Sequence, residues 1–195
     1  MEVSMKICGI VLAAGEGKRA GGRKLSRNIK GIPLLEWTLR STSAANLAKV
    51  IVVTGHERDF AEKLCLKYKV EPVYNEKYAS GMSWSVKKGL SILPKDTSGF
   101  VIILGDMPFV KTETIDHLVN RFKEHNGIVI PTYGGQSGHP PVFSTKYIAE
   151  FMDVTEDVGA RSIIKNHPED ITFVEVDDPG VIQDYDYFDE TPGSE

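Results

Sequence analysis

Ile10-Val11-Leu12-Ala13-Ala14-Gly15-Glu16-Gly17-Lys18-Arg19-Ala20-Gly21-Gly22-Arg23-Lys24 is the stretch from which the rest of the chain can be placed. The apolar run leading into it, from Ile7 to Ala14, reads as a fully buried strand led by β-branched residues. It stops at Gly15, and four glycines (Gly15, Gly17, Gly21, Gly22) fall within eight residues. Lys18, Arg19, Arg23 and Lys24 stand between and after them. Glycine lets backbone N–H groups turn toward an anion while Lys and Arg neutralise it, so a strand emptying into such a loop suits phosphate.

The loop is not a Walker motif, because Leu25 rather than Ser or Thr follows Lys24. Nor is it a clean dinucleotide fingerprint, since the spacing is Gly15-x-Gly17-x-x-x-Gly21 and the bulky cations crowd a tight helix start. A solvated basic loop is the plainer alternative. Against it, residues 15–31 hold six basic residues and one acid, Glu16, in a chain of net charge −4. That local inversion favours an anionic ligand.

A length of 195 residues suffices for a substantial core, and 41% hydrophobic with 26% charged residues is a soluble globular composition. No apolar run approaches a membrane span, and the run at 7–14 has its basic residues after it, the wrong order for a secretory signal. Cys8 and Cys65 suggest no disulfide framework, so a cytoplasmic protein is expected. The negative charge speaks against nucleic acid as a partner.

Apolar strands alternate with helical patterns along most of the chain. Strands are expected at 49–54, 70–74, 100–104 and 128–130, and helices at 34–39 (introduced by Pro33), 57–68, 83–93 and after Thr112, read as a helix cap. Past Pro131 come a short strand at 140–143, helices at 145–152 and 159–167, and a half-buried strand at 171–176. Such alternation predicts an α/β fold, a three-layer α/β/α sandwich around a mostly parallel sheet. Ligands of these sheets sit at the carboxyl ends of strands, where loops 15–24, 54–57, 75–85 and 106–110 converge. The acidic end, ten acids and no Lys or Arg in 169–195, reads as a solvated face and terminus.

Asp106 follows a buried strand directly, in Leu104-Gly105-Asp106-Met107-Pro108. A carboxylate there calls for a cation, and with a polyphosphate on the glycine loop the natural one is Mg²⁺. A simple turn aspartate is the alternative. Asp184 and Asp186 would share one face of an extended segment and could supply a second carboxylate, or be surface acids. Asn75 and Ser80-Gly81-Met82-Ser83 offer polar groups suited to a base or ribose, though alone they are turn chemistry. His139 sits in a tight Gly-His-Pro-Pro turn, and five scattered histidines make a zinc site improbable. No residue set suggests covalent catalysis, and Cys8 is expected to be buried and inert.

Together these residues resemble the molybdenum cofactor cytidylyltransferase group of the MobA-like NTP transferases, over about Ile7 to Phe188. The likeness rests on Leu12-Ala13-Ala14-Gly15-x-Gly17-x-Arg19-x-Gly21-x-x-Lys24-Leu25, Asn75-x-x-Tyr78-x-x-Gly81-Met82-Ser83-x-Ser85 and Leu104-Gly105-Asp106-Met107-Pro108. Gly138-His139-Pro140, Asp157-x-Gly159-Ala160-Arg161 and Asp184-x-Asp186 extend it, while Gly17, Ala20 and Glu156 depart from the family pattern. The resemblance implies a nucleotide-diphospho-sugar-transferase-like fold in one domain, 1–195. About 1–110 would be its nucleotide-binding half and about 111–190 its acceptor half.

It further implies transfer of a nucleoside monophosphate to a phosphorylated acceptor with release of pyrophosphate. Leu12, Ala13 and Ala14 would hold the base through backbone contacts. Gly15, Gly17, Asn75, Gly81 and Ser83 complete the nucleotide site, and Arg19 and Lys24 grip the triphosphate. Asp106 with Asp184 or Asp186 would hold Mg²⁺, and His139 and Arg161 would meet the acceptor. Ala-Ala-Gly at 13–15, rather than Ala-Gly-Gly, resembles the CTP-using branch. The acceptor would then be molybdopterin, with a molybdoenzyme or its chaperone as a further partner. Alternatives are GTP as donor, a sugar or alcohol phosphate as acceptor, or a non-catalytic carrier. A dinucleotide oxidoreductase would need an acid after the second strand, near Glu57, but the basic loop opposes it.

Overall fold

The computed structural model describes residues 5–17, 22–154, 160–183 and 185. In chain order the first half holds β1 (Lys6–Ala13), β2 (Asn28–Ile29), β3 (Ile32–Pro33), α1 (Leu34–Ala44), β4 (Lys49–Thr54), α2 (Arg58–Tyr68), β5 (Glu71–Tyr74) and α3 (Met82–Leu90). Then come β6 (Thr97–Leu104), α4 (Thr112–His125), β7 (Ile128–Tyr133), β8 (Gln136–Ser137), β9 (Val142–Ser144), α5 (Ile148–Asp153), α6 (Ala160–Asn166) and β10 (Ile171–Glu175).

The main sheet has the order β10-β7-β9-β6-β1-β4-β5, with β8 pairing to β7. β1 lies between β4 and β6 and runs parallel to both. It is buried from Ile7 onward, as an apolar run without polar alternation requires of a strand covered on both faces. Along it Ile7, Val11 and Ala13 join the core under α1, α2 and α4, while Ile10, Leu12 and Ala14 join the one under α3, α5 and α6. The expected three-layer, mostly parallel α/β arrangement is therefore present. β9 departs from it: this short strand enters between β6 and β7 antiparallel to both. Phe143 on β9 packs on Phe100 and Phe151 at ring separations of 5.7 and 5.2 Å, giving that face its aromatic centre.

Thr112 does not cap α4; its hydroxyl donates to Ser41 O at 3.1 Å. The start of α4 is instead served by Asp178, a buried carboxylate 64 residues from Thr114. Asp178 accepts from Thr114 Oγ1 (2.6 Å), Lys111 N–H (2.9 Å) and Gly180 N–H (3.0 Å). A buried anion at a helix N-terminus is favoured by the unpaired N–H groups there. It ties the chain after β10 to the loop after β6. Cys8 and Cys65 are free and buried, and burial pushes the Cys65 thiol up to about 12. Among the described residues no helix is long and apolar enough to cross a membrane.

The α1–α2 contact is held by one buried acid. Glu36 accepts from Lys67 Nζ (2.8 Å), Tyr68 Oη (2.9 Å) and Arg40 Nη2 (3.3 Å). The Lys67 hydrogen bond foremost, with Tyr68 and Arg40 adding, holds the Glu36 carboxyl below its ordinary range. With the folded pKa below the unfolded one, this stabilisation is complete above the unfolded value and is lost as pH falls through the folded one. Glu36→Gln should therefore cost roughly 1–3 kcal/mol in urea unfolding at pH 7. The gap between variant and wild type should shrink below about pH 4.3. A gap unchanged down to pH 3 would contradict the assignment.

Candidate functional site

The register of the central strands brings four loops to one edge. Leu12 pairs with Val53 on β4 and with Leu104 on β6, so the three strands end together. Their exits are stitched: Gly105 N–H donates to Leu12 O (3.0 Å), His56 N–H to Ala14 O (3.2 Å) and Asn75 N–H to Thr54 O (2.9 Å). Gly55 must lack a side chain, because a Cβ there would lie 2.4 Å from Ala14 O.

From this edge the glycine loop departs. Gly17 takes φ +56° and Gly22 φ +81°, and Gly22 N–H closes the turn on Gly17 O at 3.1 Å. A Cβ on Gly17 would stand 2.9 Å from Lys24 Cβ, so conformation and space both exclude a larger residue. Gly15 differs: it is exposed, and a Cβ there would meet nothing within 4 Å among the described residues. Arg19, expected beside Lys24, lies outside the described residues.

Lys24 Nζ reaches across to Asp106 Oδ2 at 2.7 Å. The two side chains are 12% and 30% exposed, so the pair is largely withdrawn from water and either charge alone there would be costly. Lys24, at the exit of the loop, and the carboxylate at the end of β6 thus meet directly. Leu12, Ala13 and Ala14 are buried beneath it. Asn75 is buried too, donating from Nδ2 to Ser85 Oγ (3.1 Å) and accepting at Oδ1 from Lys77 N–H (3.0 Å), which fixes the loop entering α3. Gly81, at φ +112°, opens α3, and Ser83 is buried in its first turn.

The second carboxylate expected beside Asp106, Asp184 or Asp186, lies outside the described residues, but Tyr185 between them is described. Tyr185 N–H donates to Asp106 O at 3.2 Å, and its ring packs edge-on against Phe109 at 5.6 Å. The same segment meets His139, whose N–H donates to Val181 O at 2.7 Å. His139, partly buried before a cis Pro140, is thereby linked to the Asp106 loop. Arg161 is exposed on α6, and among the described residues no bond joins it to the Lys24–Asp106 pair.

Glu57, which the sequence marks only as near the acid a dinucleotide fold would need, has a different part here. Its carboxylate accepts from Leu25 N–H at Oε1 (2.9 Å) and from Ser26 N–H at Oε2 (3.2 Å), gripping the loop just past Lys24. The other end of the sheet holds a cavity of about 230 Å³ lined by Lys6, Cys8, Lys49 and Asp96 among others. His167, Glu169 and Asp170 cluster at that end too, with Asp170 engaged by Lys146 Nζ at 2.8 Å. Neither adjoins the strand carboxyl ends.

The model of the MobA-like NTP transferase domain matches residues 9–171. A probable molybdenum cofactor guanylyltransferase of Thermococcus gammatolerans is 31% identical over 152 residues, covering 76% of this chain and 73% of that protein. The bifunctional protein GlmU of Acetivibrio thermocellus is 35% identical over 118 residues, 59% of this chain but 25% of its own length. The chain thus spans about a quarter of that relative. The structure of Rv0371c from Mycobacterium tuberculosis H37Rv in complex with manganese superposes with a TM-score of 0.76 at 22% identity, covering 88% of this chain and 89% of that one. The chain belongs to the MobA-like NTP transferase family.

Proposed function

We propose that the protein transfers CMP from CTP to the phosphate of molybdopterin, in the cytoplasm and with Mg²⁺, releasing pyrophosphate. The observation that carries this reading is the 2.7 Å pair of Lys24 and Asp106, one group on the glycine loop and the other at a strand end. Nucleotidyl transfer asks for alignment and charge neutralisation more than for acids or bases. An acceptor phosphate oxygen attacks the α-phosphorus, the bond to the β-phosphate oxygen breaks, and pyrophosphate leaves. The acceptor phosphate is already anionic and needs no base.

Residues 1–110 form the nucleotide half in this reading. Leu12 to Ala14 take the base through backbone contacts, and Gly15, Gly17, Asn75, Gly81 and Ser83 shape the rest. Lys24, with Arg19, moves onto the triphosphate and steadies the charge that develops at the α-phosphate. Asp106 fits a divalent cation: it is half-buried at a strand end and already carries a cationic group, the Lys24 ammonium. Asp184 or Asp186, flanking Tyr185 on the Asp106 carbonyl, would complete the set. Mg²⁺ bound there would neutralise phosphate charge and orient the α-phosphate. His139 and Arg161 would belong to the acceptor half, 111–190.

Ala13-Ala14 supports CTP through the family resemblance. The name of the Thermococcus relative favours GTP as a second reading. The acceptor, and a molybdoenzyme or its chaperone as recipient, follow the same resemblance.

A matrix of CTP, GTP, ATP and UTP against molybdopterin and sugar phosphates, read by pyrophosphate release, should give turnover with CTP and molybdopterin. Asp106→Ala should reduce it by about 10²–10³-fold. Turnover with a sugar phosphate while molybdopterin stays inert with every nucleotide would overturn the reading, as would an unimpaired Asp106→Ala variant. Gly15→Ala separates ligand space from folding. Its melting temperature should stay within about 2 °C of wild type, on the scale of a neutral surface change. CTP binding, by calorimetry, should weaken at least tenfold; unchanged affinity would remove Gly15 from the site.

A further inference from the structure

Glu57 stands at the N-cap of α2, where Ser, Thr, Asp or Asn usually bonds to the helix N–H groups. Its side chain makes no such bond. The carboxylate turns to the neighbouring loop, one oxygen on Leu25 N–H and the other on Ser26 N–H, at 2.9 and 3.2 Å. These are the two peptide groups that follow Lys24. The base of this clamp is itself fixed, because His56 N–H is bonded to Ala14 O and Gly55 packs on the same carbonyl. On the far side, Leu25 is buried and its carbonyl accepts from Leu35 N–H at 3.1 Å. A charged acceptor facing two backbone donors makes stronger bonds than a neutral one, and the N-terminus of α2 favours its negative charge.

We infer that Glu57 is the positioning residue of Lys24, holding the loop exit so that the ammonium meets both Asp106 and an incoming triphosphate. It touches neither. This rests on the use of Lys24 set out above and adds how that lysine is aimed. A flexible four-carbon side chain delivers its charge to one point only when its backbone is fixed, and a shift of about 1 Å at such a group can cost about 100-fold.

A double-mutant cycle tests it, read as CTP and GTP affinity by calorimetry with Mg²⁺, so that the acceptor plays no part. Glu57→Ala should weaken nucleotide binding at least tenfold in the wild-type background and less than twofold in the Lys24→Ala background. Glu57→Gln, which keeps an acceptor oxygen for one N–H and sets an amide N–H₂ against the other, should fall between; it serves if the alanine variant fails to fold. Equal losses in the two backgrounds would show that Glu57 acts through general loop stability and would overturn this inference alone. Unchanged affinity in Lys24→Ala would instead overturn the use of Lys24 itself, and the inference with it.

Discussion

The contact between Lys24 and Asp106 is possible only because β1 and β6 are adjacent parallel strands with Leu12 opposite Leu104. That register delivers the loop after one strand and the turn after the other to the same point. Each side chain is withdrawn enough from water that a lone charge would be costly, so in the free protein the two neutralise one another. A bound nucleotide and its cation would substitute for each partner in turn, the phosphates for Asp106 and the metal for Lys24. In the proposed reaction the pair would thus hold the positions of both ligands.

Around this contact the chain builds support from distant segments. Glu57, at the end of β4, holds the loop beyond Lys24. Asp178, beyond β10, holds the start of α4, and seven residues later Tyr185 N–H sits on the Asp106 carbonyl. Val181, between them, meets His139. The groups that would act on substrate are few. The groups that keep them in place are two buried or half-buried carboxylates bonded to backbone N–H, a rigid way to fix loops.

What the sequence makes legible is what has local signature. The unbroken apolar run at 7–14, the glycines with their cations, and Asp106 after a buried strand each declare themselves within a few residues. With the rule that ligands gather at strand carboxyl ends, they suffice to set Lys24 opposite Asp106. Pairings over long sequence distances carry no such signature. Thr112 looks like a cap by its type, yet its hydroxyl turns to Ser41, and it is Asp178, far along the chain, that holds Lys111 N–H and the Thr114 hydroxyl at the start of α4. Glu57 resembles the ribose-binding acid of another fold, and only the folded chain brings it onto Leu25 and Ser26. The antiparallel entry of β9 is likewise set by tertiary pairing, not by periodicity, whereas the small β2–β3 hairpin is local and turns on Lys30 and Gly31 at φ +51° and +79°. Asn75, which reads as a ligand contact, has its amide engaged with Ser85 and Lys77.

The central claim is that the Lys24–Asp106 contact stands in for a metal-bound triphosphate. A crystal structure of the protein with a non-hydrolysable CTP analogue and Mn²⁺ tests it most directly. The account predicts Lys24 Nζ on a phosphate oxygen, the metal on Asp106 and the Gly15–Gly17 backbone against the triphosphate. A nucleotide bound elsewhere, with the 2.7 Å pair intact beneath it, would contradict the account.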